Sequence, residues 1–181
     1  MTKSSYKEAK NKKAAREFVF SHYQQPKIVG LAGPDINEYI SWCKSNGFEI
    51  EEIWEKDPRV MMKQLTDIKE GAVTKYRFGD INNTMPDKKD IVYDLDYCGC
   101  VKTLYDSVMK FKKNIVMTFS VRGVGAEKTI SSFFSKRKET IETRVNKSKP
   151  VNHISIKTNQ GKYIVVPYFD TTPMITIARI S

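Results

Sequence analysis

Apolar positions along the chain alternate between short dense runs and longer stretches with helical spacing. Residues 28–31, 49–54, 73–78, 91–95 and 114–119 form apolar runs of strand length. Between them lie segments whose apolar residues recur three and four positions apart. Residues 37–46 place Tyr39, Ile40 and Cys43 on one stripe. Residues 60–66 turn Val60, Met61 and Leu65 inward, and residues 101–111 do the same with Leu104, Val108 and Phe111. Residues 129–145 read as a long helix with Ile130, Phe133, Phe134, Ile141 and Val145 on its apolar side. At the start, residues 4–23 read as a helix with Ala14, Ala15, Phe18 and Val19 on one side. Lys7, Lys10, Lys12, Lys13 and Arg16 lie on the others. The last thirty residues switch to period two, giving strands at 153–158, 162–169 and 174–180.

Local signals sharpen these boundaries. Pro26 closes the approach to the first strand, because a proline inside a helix forfeits a hydrogen bond. Asp35 is positioned to N-cap the helix at 37–46, and Gly47 to end it in a left-handed conformation. Pro167 points to a strand end or a sheet edge. Strands alternating with helices and then a terminal antiparallel group indicate an open α/β sheet with helices on both faces. Residues 1–25 are expected as a basic helix and residues 26–181 as one domain, without internal repeats or a dividing linker.

Composition narrows the partners. The 181 residues carry 31 Lys and Arg against 21 Asp and Glu, a net charge of +10. That excess favours polyanions, nucleic acid first, although solubility alone is the plainer reading. No apolar run reaches the ~20 residues a membrane helix needs, and no secretory signal opens the chain. Cys43, Cys98 and Cys100 are an odd set with no disulfide framework, which places the chain in a reducing, cytoplasmic setting. With only His22 and His153 beside them, no metal site is expected.

Candidate chemistry gathers after the strands. In open α/β sheets ligands sit outside the carboxyl ends of the strands, and Gly33, Glu55, Asp80 and Asp94 are each expected there. Gly33 and Glu55 are about 20 residues apart, the spacing that sets an acid on a ribose hydroxyl. Alone, Glu55 reads more often as a solvated strand-end acid than as a ribose ligand, and Asp80 more often as a turn former after glycine.

Taken together, these segments resemble class I S-adenosylmethionine-dependent methyltransferases, from about Pro26 onward. The resemblance implies an open three-layer Rossmann-like sheet, mostly parallel, with antiparallel C-terminal strands. It also implies S-adenosylmethionine as cofactor. Gly30, Ala32 and Gly33, with Pro34, resemble the glycine turn that packs against the methionine part. Glu55 and Lys56 resemble the acidic second motif, Glu55 accepting both ribose hydroxyls. Asp80 and Ile81 resemble the third, at the adenine amino group and ring. Asp94-Leu95-Asp96-Tyr97 stands where the family keeps its fourth motif. There Asp94 would serve cofactor and catalysis, Asp96 would orient or deprotonate the acceptor, and Tyr97 would stack on a flipped base. A closer likeness is the Asp-Leu-Asp-x-x-Gly loop of guanine-N2 tRNA methyltransferases; a cytosine-C5 nucleophile at Cys98 is a further alternative. Arg122 and the basic run Lys136, Arg137 and Lys138 would meet the substrate, DNA or RNA. Small lysine-rich enzymes of this kind are common in phage and mobile elements. Two rival readings are a methyltransferase-like binding subunit without activity and a dehydrogenase-type fold. The turn at Gly33 lacks the further glycines the latter requires.

Overall fold

The computed structural model describes residues 10–24, 26–73, 75–81, 90–96, 114–121, 128, 131–132, 134–135, 141–147, 151–159, 161–170 and 172–180. The expected helix at 101–111 and the loop from Arg122 lie outside them. The first half holds α1 (Lys10–Phe20), β1 (Lys27–Gly30), α2 (Ile36–Ser45), β2 (Glu49–Glu55), α3 (Pro58–Asp67), β3 (Lys75–Phe78), β4 (Ile91–Asp96) and β5 (Ile115–Ser120). The second half is strand-rich: β6 (Ile141–Asn146), β7 (His153–Thr158), β8 (Gly161–Phe169) and β9 (Pro173–Arg179). All nine described strands form one sheet in the order β3-β2-β1-β4-β5-β9-β8-β7-β6.

The sheet is mixed rather than mostly parallel. β1–β5 pair in parallel with one another, whereas β5–β9, β9–β8, β8–β7 and β7–β6 are all antiparallel. The expected helix over 129–145 accounts for part of the difference. Residues 131–132 and 134–135 are helical, but Ile141–Asn146 is a strand paired residue by residue with β7. Ile141 and Val145 satisfy a helical stripe, yet Ile141, Thr143 and Val145 also alternate with polar neighbours and all three are β-branched. The ladder offered by β7 decides between the two periods.

Caps form where the sequence placed them, with one difference. Gly47 adopts φ +73°, and its N–H and that of Phe48 donate to Lys44 O and Cys43 O, a Schellman closure of α2. Asp35 accepts from Glu38 and Tyr39 through its backbone carbonyl, and its side chain makes no cap bond. Its carboxylate lies 3.8 Å from Lys63 Nζ instead. α3 is capped by the Asp57 side chain, which accepts from Arg59 N at 2.9 Å, and Pro58 occupies the first turn. Pro167 lies inside β8, an interior strand. The β7 ladder ends at the pair Ile154–Val165, so β8 outruns its neighbour at the proline.

Two cores sandwich the sheet. One face packs α1 and α2 through Ala15, Val19, Phe20, Ile36, Tyr39, Ile40 and Trp42 onto Ile28, Val92, Val116, Ile164 and Ala178. The other joins Val29, Trp54, Tyr93, Leu95, Met117, Phe119, Tyr163 and Val165 with Phe134, whose ring meets Tyr163 edge-on at 5.0 Å. α1 therefore shares the core of the sheet. Two of its positions depart from the expected pattern: Ala14 is exposed and Arg16 is fully buried.

Candidate active site

β1, β2 and β3 run in parallel and end on one side of the sheet, which brings their following loops to one rim. Glu55, the last residue of β2, accepts from Gly79 N at 2.8 Å through its backbone carbonyl, tying the β2 and β3 ends together. Its side chain is half-buried. Oε1 accepts from the backbone N–H groups of Lys56 and Asp57, both at 2.8 Å, which fixes the carboxylate's direction. Among the described residues no donor meets Oε2. Lys56 Nζ lies 3.8 Å from Asp80 Oδ2 across the same gap. Beside it Ile81 is buried against the core containing Val29 and Trp54.

Gly33 completes this rim. It holds φ +67°, a conformation that costs most side-chain-bearing residues free energy, and nothing lies within 4 Å of where a Cβ would project. Its carbonyl accepts from the buried side chain of Gln64, and Gln64 in turn accepts from the Tyr76 hydroxyl. One amide from α3 thus fastens the β1 turn to β3. Burial, and then the nearby charge of Glu55, push the Tyr76 phenol up to about 12. Lys63 adds a bond to Pro34 O at 3.0 Å, and Asn37 one to Asp67 O at 2.7 Å.

Asp94 takes a different place. It lies inside β4, paired with Gly30 of β1 and Val116 of β5, and is fully buried on the helix side of the sheet. Its Oδ2 accepts from Arg16 Nη2 and, at 2.8 Å, from Tyr39 Oη. The Arg16 guanidinium is stacked 4.8 Å from the Trp42 ring centre and 5.7 Å from that of Phe20. Burial and the Asp94 charge push the adjacent Cys43 thiol well up, so it stays protonated. Gly30 serves the same cluster. A Cβ there would collide with the Tyr39 hydroxyl and come within 3.2 Å of Asp94. Ala32 is buried in the same helix-side core.

Asp96, two residues on and at the end of β4, is 12 % exposed and ion-paired with Lys12. The spacings match: residues two apart on a strand and four apart on a helix are both about 6–7 Å apart. Lys12 and Arg16 therefore engage Asp96 and Asp94 as a matched pair, and α1 runs antiparallel to β4. Beyond Asp96, burial and the charge of Asp96 push the Tyr168 phenol up, against the lowering effect of its hydrogen bond with Thr176.

The structure thus gathers Gly33, Glu55, Lys56, Asp80 and Ile81 on one rim and sets Asp96 at the end of β4. It places Gly30, Ala32 and Asp94 within the fold. Tyr97, Arg122, Lys136, Arg137 and Lys138 lie outside the described residues. Sequence reasoning missed Gln64, naming Leu65 as inward; Leu65 is 47 % exposed and Gln64 is buried. The available signal was spacing, since Gln64 falls between Val60 or Met61 and Ile68 at helical intervals. Arg16 was missed likewise, assigned to the charged face although it adjoins Ala15 and Val19. Among the described residues no group of three or more His, Cys, Asp or Glu side chains gathers to hold a metal. Nor is any described helix long and apolar enough to cross a membrane.

No protein-family model matches the sequence, and no curated protein is similar to it in sequence. Solved structures are similar in fold. The PH0226 protein of Pyrococcus horikoshii matches with TM-score 0.52 and 12% identity, over 97% of this chain and 92% of that one. The TYW2 protein of P. horikoshii, in complex with MeSAdo, matches with TM-score 0.51 and 11% identity over 92% of this chain. The match spans 61% of that protein's length. An S-adenosylmethionine-dependent methyltransferase of Mesorhizobium loti matches with TM-score 0.49 and 10% identity, over 90% of this chain and 95% of that one. What the chain shares with the two Pyrococcus horikoshii proteins is a fold.

Proposed function

We propose that the chain is an S-adenosylmethionine-dependent methyltransferase acting on a nucleic-acid base. The observation that carries this reading is the rim itself. A glycine with open space at its Cβ position, a carboxylate with one oxygen anchored and the other unengaged, and the Asp80–Ile81 pair all meet at the carboxyl ends of parallel strands. These donors and acceptors fit an adenosine. Oε2 of Glu55 accepts from ribose hydroxyls, Asp80 stands beside it toward the base with Ile81 packed into the core beneath, and the turn at Gly33 admits close approach. When bound, the cofactor supplies an electrophilic methyl group.

The chain's own contribution is mostly placement, which lowers the barrier by holding reactants in line. Asp96 is the carboxylate at the end of β4, and in this reading it orients the acceptor or takes its proton. Lys12 keeps Asp96 aimed. Asp94, enclosed by Arg16 and Tyr39, positions β4 beneath it. A net charge of +10 supports a polyanionic substrate.

Calorimetric titration with S-adenosylmethionine tests the assignment. Binding is expected, and Glu55→Ala should abolish it; no heat at millimolar cofactor refutes the reading. Tritium-labelled methyl transfer to mixed DNA and RNA should then be lost in Asp96→Ala. Cofactor binding without transfer to any base would identify a binding subunit instead.

A further inference from the structure

Part of the excess positive charge falls on the face of β6, β7 and β8 that lies on the α1 side, where three cations stand against one acid. Strand register sets Arg144 beside Ser155 and Ile164, and Glu142 beside Lys157 and Lys162, all on that face. α1 packs over β8 and β9, and Phe18 reaches only as far as His153, at 4.7 Å between ring centres. Beyond it Arg144, Lys157 and Lys162 are exposed around a shallow depression of about 460 Å³. Both histidines of the chain, His22 and His153, line it, and Glu142 is the single acid among its described lining residues.

Two features set this face apart from an ordinary solvated surface. Among the described residues Arg144, Lys157 and Lys162 form no ion pair with a carboxylate, whereas Lys27, Lys56, Arg59, Lys63, Lys75 and Arg77 elsewhere each approach one. Moreover, Lys157 and Lys162 stand directly opposite one another on neighbouring strands. Like charges in that position repel and weaken the ladder. An anion between them turns the repulsion into attraction.

We propose that this face docks single-stranded nucleic acid. Cations on three adjacent strands span about 10 Å, too far apart to share one phosphate and suited to successive phosphates of a chain. Phe18, with His22 at 5.2 Å and His153 at 4.7 Å, forms an aromatic margin against which a base can stack. His22 and His153 each engage a backbone carbonyl through Nδ1, which therefore carries the proton and leaves Nε2 for another partner. The face lies four strands from β4, roughly 20 Å away, so it anchors a strand and does not touch the reacting atoms. The inference rests on the nucleic-acid part of the proposed function.

Fluorescence anisotropy of a labelled single-stranded oligonucleotide, with the full chain and no cofactor, tests it. The chain should bind with an affinity that falls as salt rises. The triple variant Arg144→Gln/Lys157→Gln/Lys162→Gln should bind roughly 10- to 100-fold more weakly near physiological salt, with a salt slope reduced by roughly 2. Ser155→Asp, which sets a negative charge among them, should weaken binding as well. A control of equal charge change, Lys27→Gln/Lys44→Gln/Lys69→Gln, should bind like the parent. Equal binding by the parent and the triple variant, with native circular dichroism in both, overturns the proposal. Equal loss in the control overturns it too, as does binding to phosphatidylserine vesicles but not to the oligonucleotide. Because no cofactor is present, these outcomes are separate from the Glu55→Ala titration.

Discussion

In the half of the sheet from β3 to β5, cations are set against carboxylates. Lys12 meets Asp96, Arg16 meets Asp94, Lys63 meets Asp35 and Asp67, and Lys75 and Arg77 both approach Glu52. In the half from β9 to β6, Arg144, Lys157 and Lys162 meet none among the described residues, and two of them face each other across a ladder. The first half uses charge internally, to lock helices to strands and to aim the residues of the rim. In the proposed reading the second leaves its charge for nucleic acid. The parallel half resembles a fixed frame for a small ligand, and the antiparallel half an extension of that frame that widens its surface.

The largest effect expected from breaking this contrast is at Arg16. Arg16→Met leaves Asp94 buried with Tyr39 alone as donor, and should cost about 3–5 kcal/mol in urea unfolding. The double variant Arg16→Met/Asp94→Leu should recover most of that loss, since an apolar pair of similar volume needs no compensating charge. A single variant as stable as the parent would mean that the ion pair does not hold α1 to β4.

Gln64→Leu comes next. It removes the donor to Gly33 O and the acceptor for Tyr76, and should cost about 1–3 kcal/mol. Cofactor affinity should fall with it, because the turn at Gly33 loses its tie to α3; unchanged titration heats would separate the turn from the site. The same contact predicts a pH limit. Tyr76 is raised to about 12, whereas an unfolded tyrosine ionises near 10. The folded chain thus holds this proton more tightly. The associated stability is present below about pH 10 and is lost as pH rises toward 12, which spectrophotometric titration of the phenol will follow.

The smallest effect has the opposite sign. Lys162→Gln removes a cross-strand repulsion, and should raise stability by a few tenths of a kcal/mol in thermal unfolding. Destabilisation there would show that the lysines are already balanced within the chain.

Much of the frame was legible in the sequence. The runs at 28–31, 49–54, 91–95 and 114–119 became β1, β2, β4 and β5 within a residue or two, because buried parallel strands are dense in apolar residues. The turn at Gly33 and the acid at Glu55 were visible for a similar reason: breakers and strand ends leave local marks. What stayed hidden was any choice between two local fits. Residues 141–146 satisfy both helical and strand periods, and the partner strand β7 chose. Asp94 looks like a rim residue in sequence, and Arg16 like a solvated one, until α1 folds across β4 and buries both.

The sequence by itself determined where backbone hydrogen bonding begins and stops, which face of most elements is apolar, and how much unbalanced charge the chain carries. Only the tertiary structure decided which charges cancel and which remain. Ion pairing depends on proximity between segments far apart in the chain: Arg16 and Asp94 are separated by 78 residues, and nothing in either segment alone names the other. The cations of β6–β8, which meet no carboxylate among the described residues, are likewise defined by what the fold brings near them.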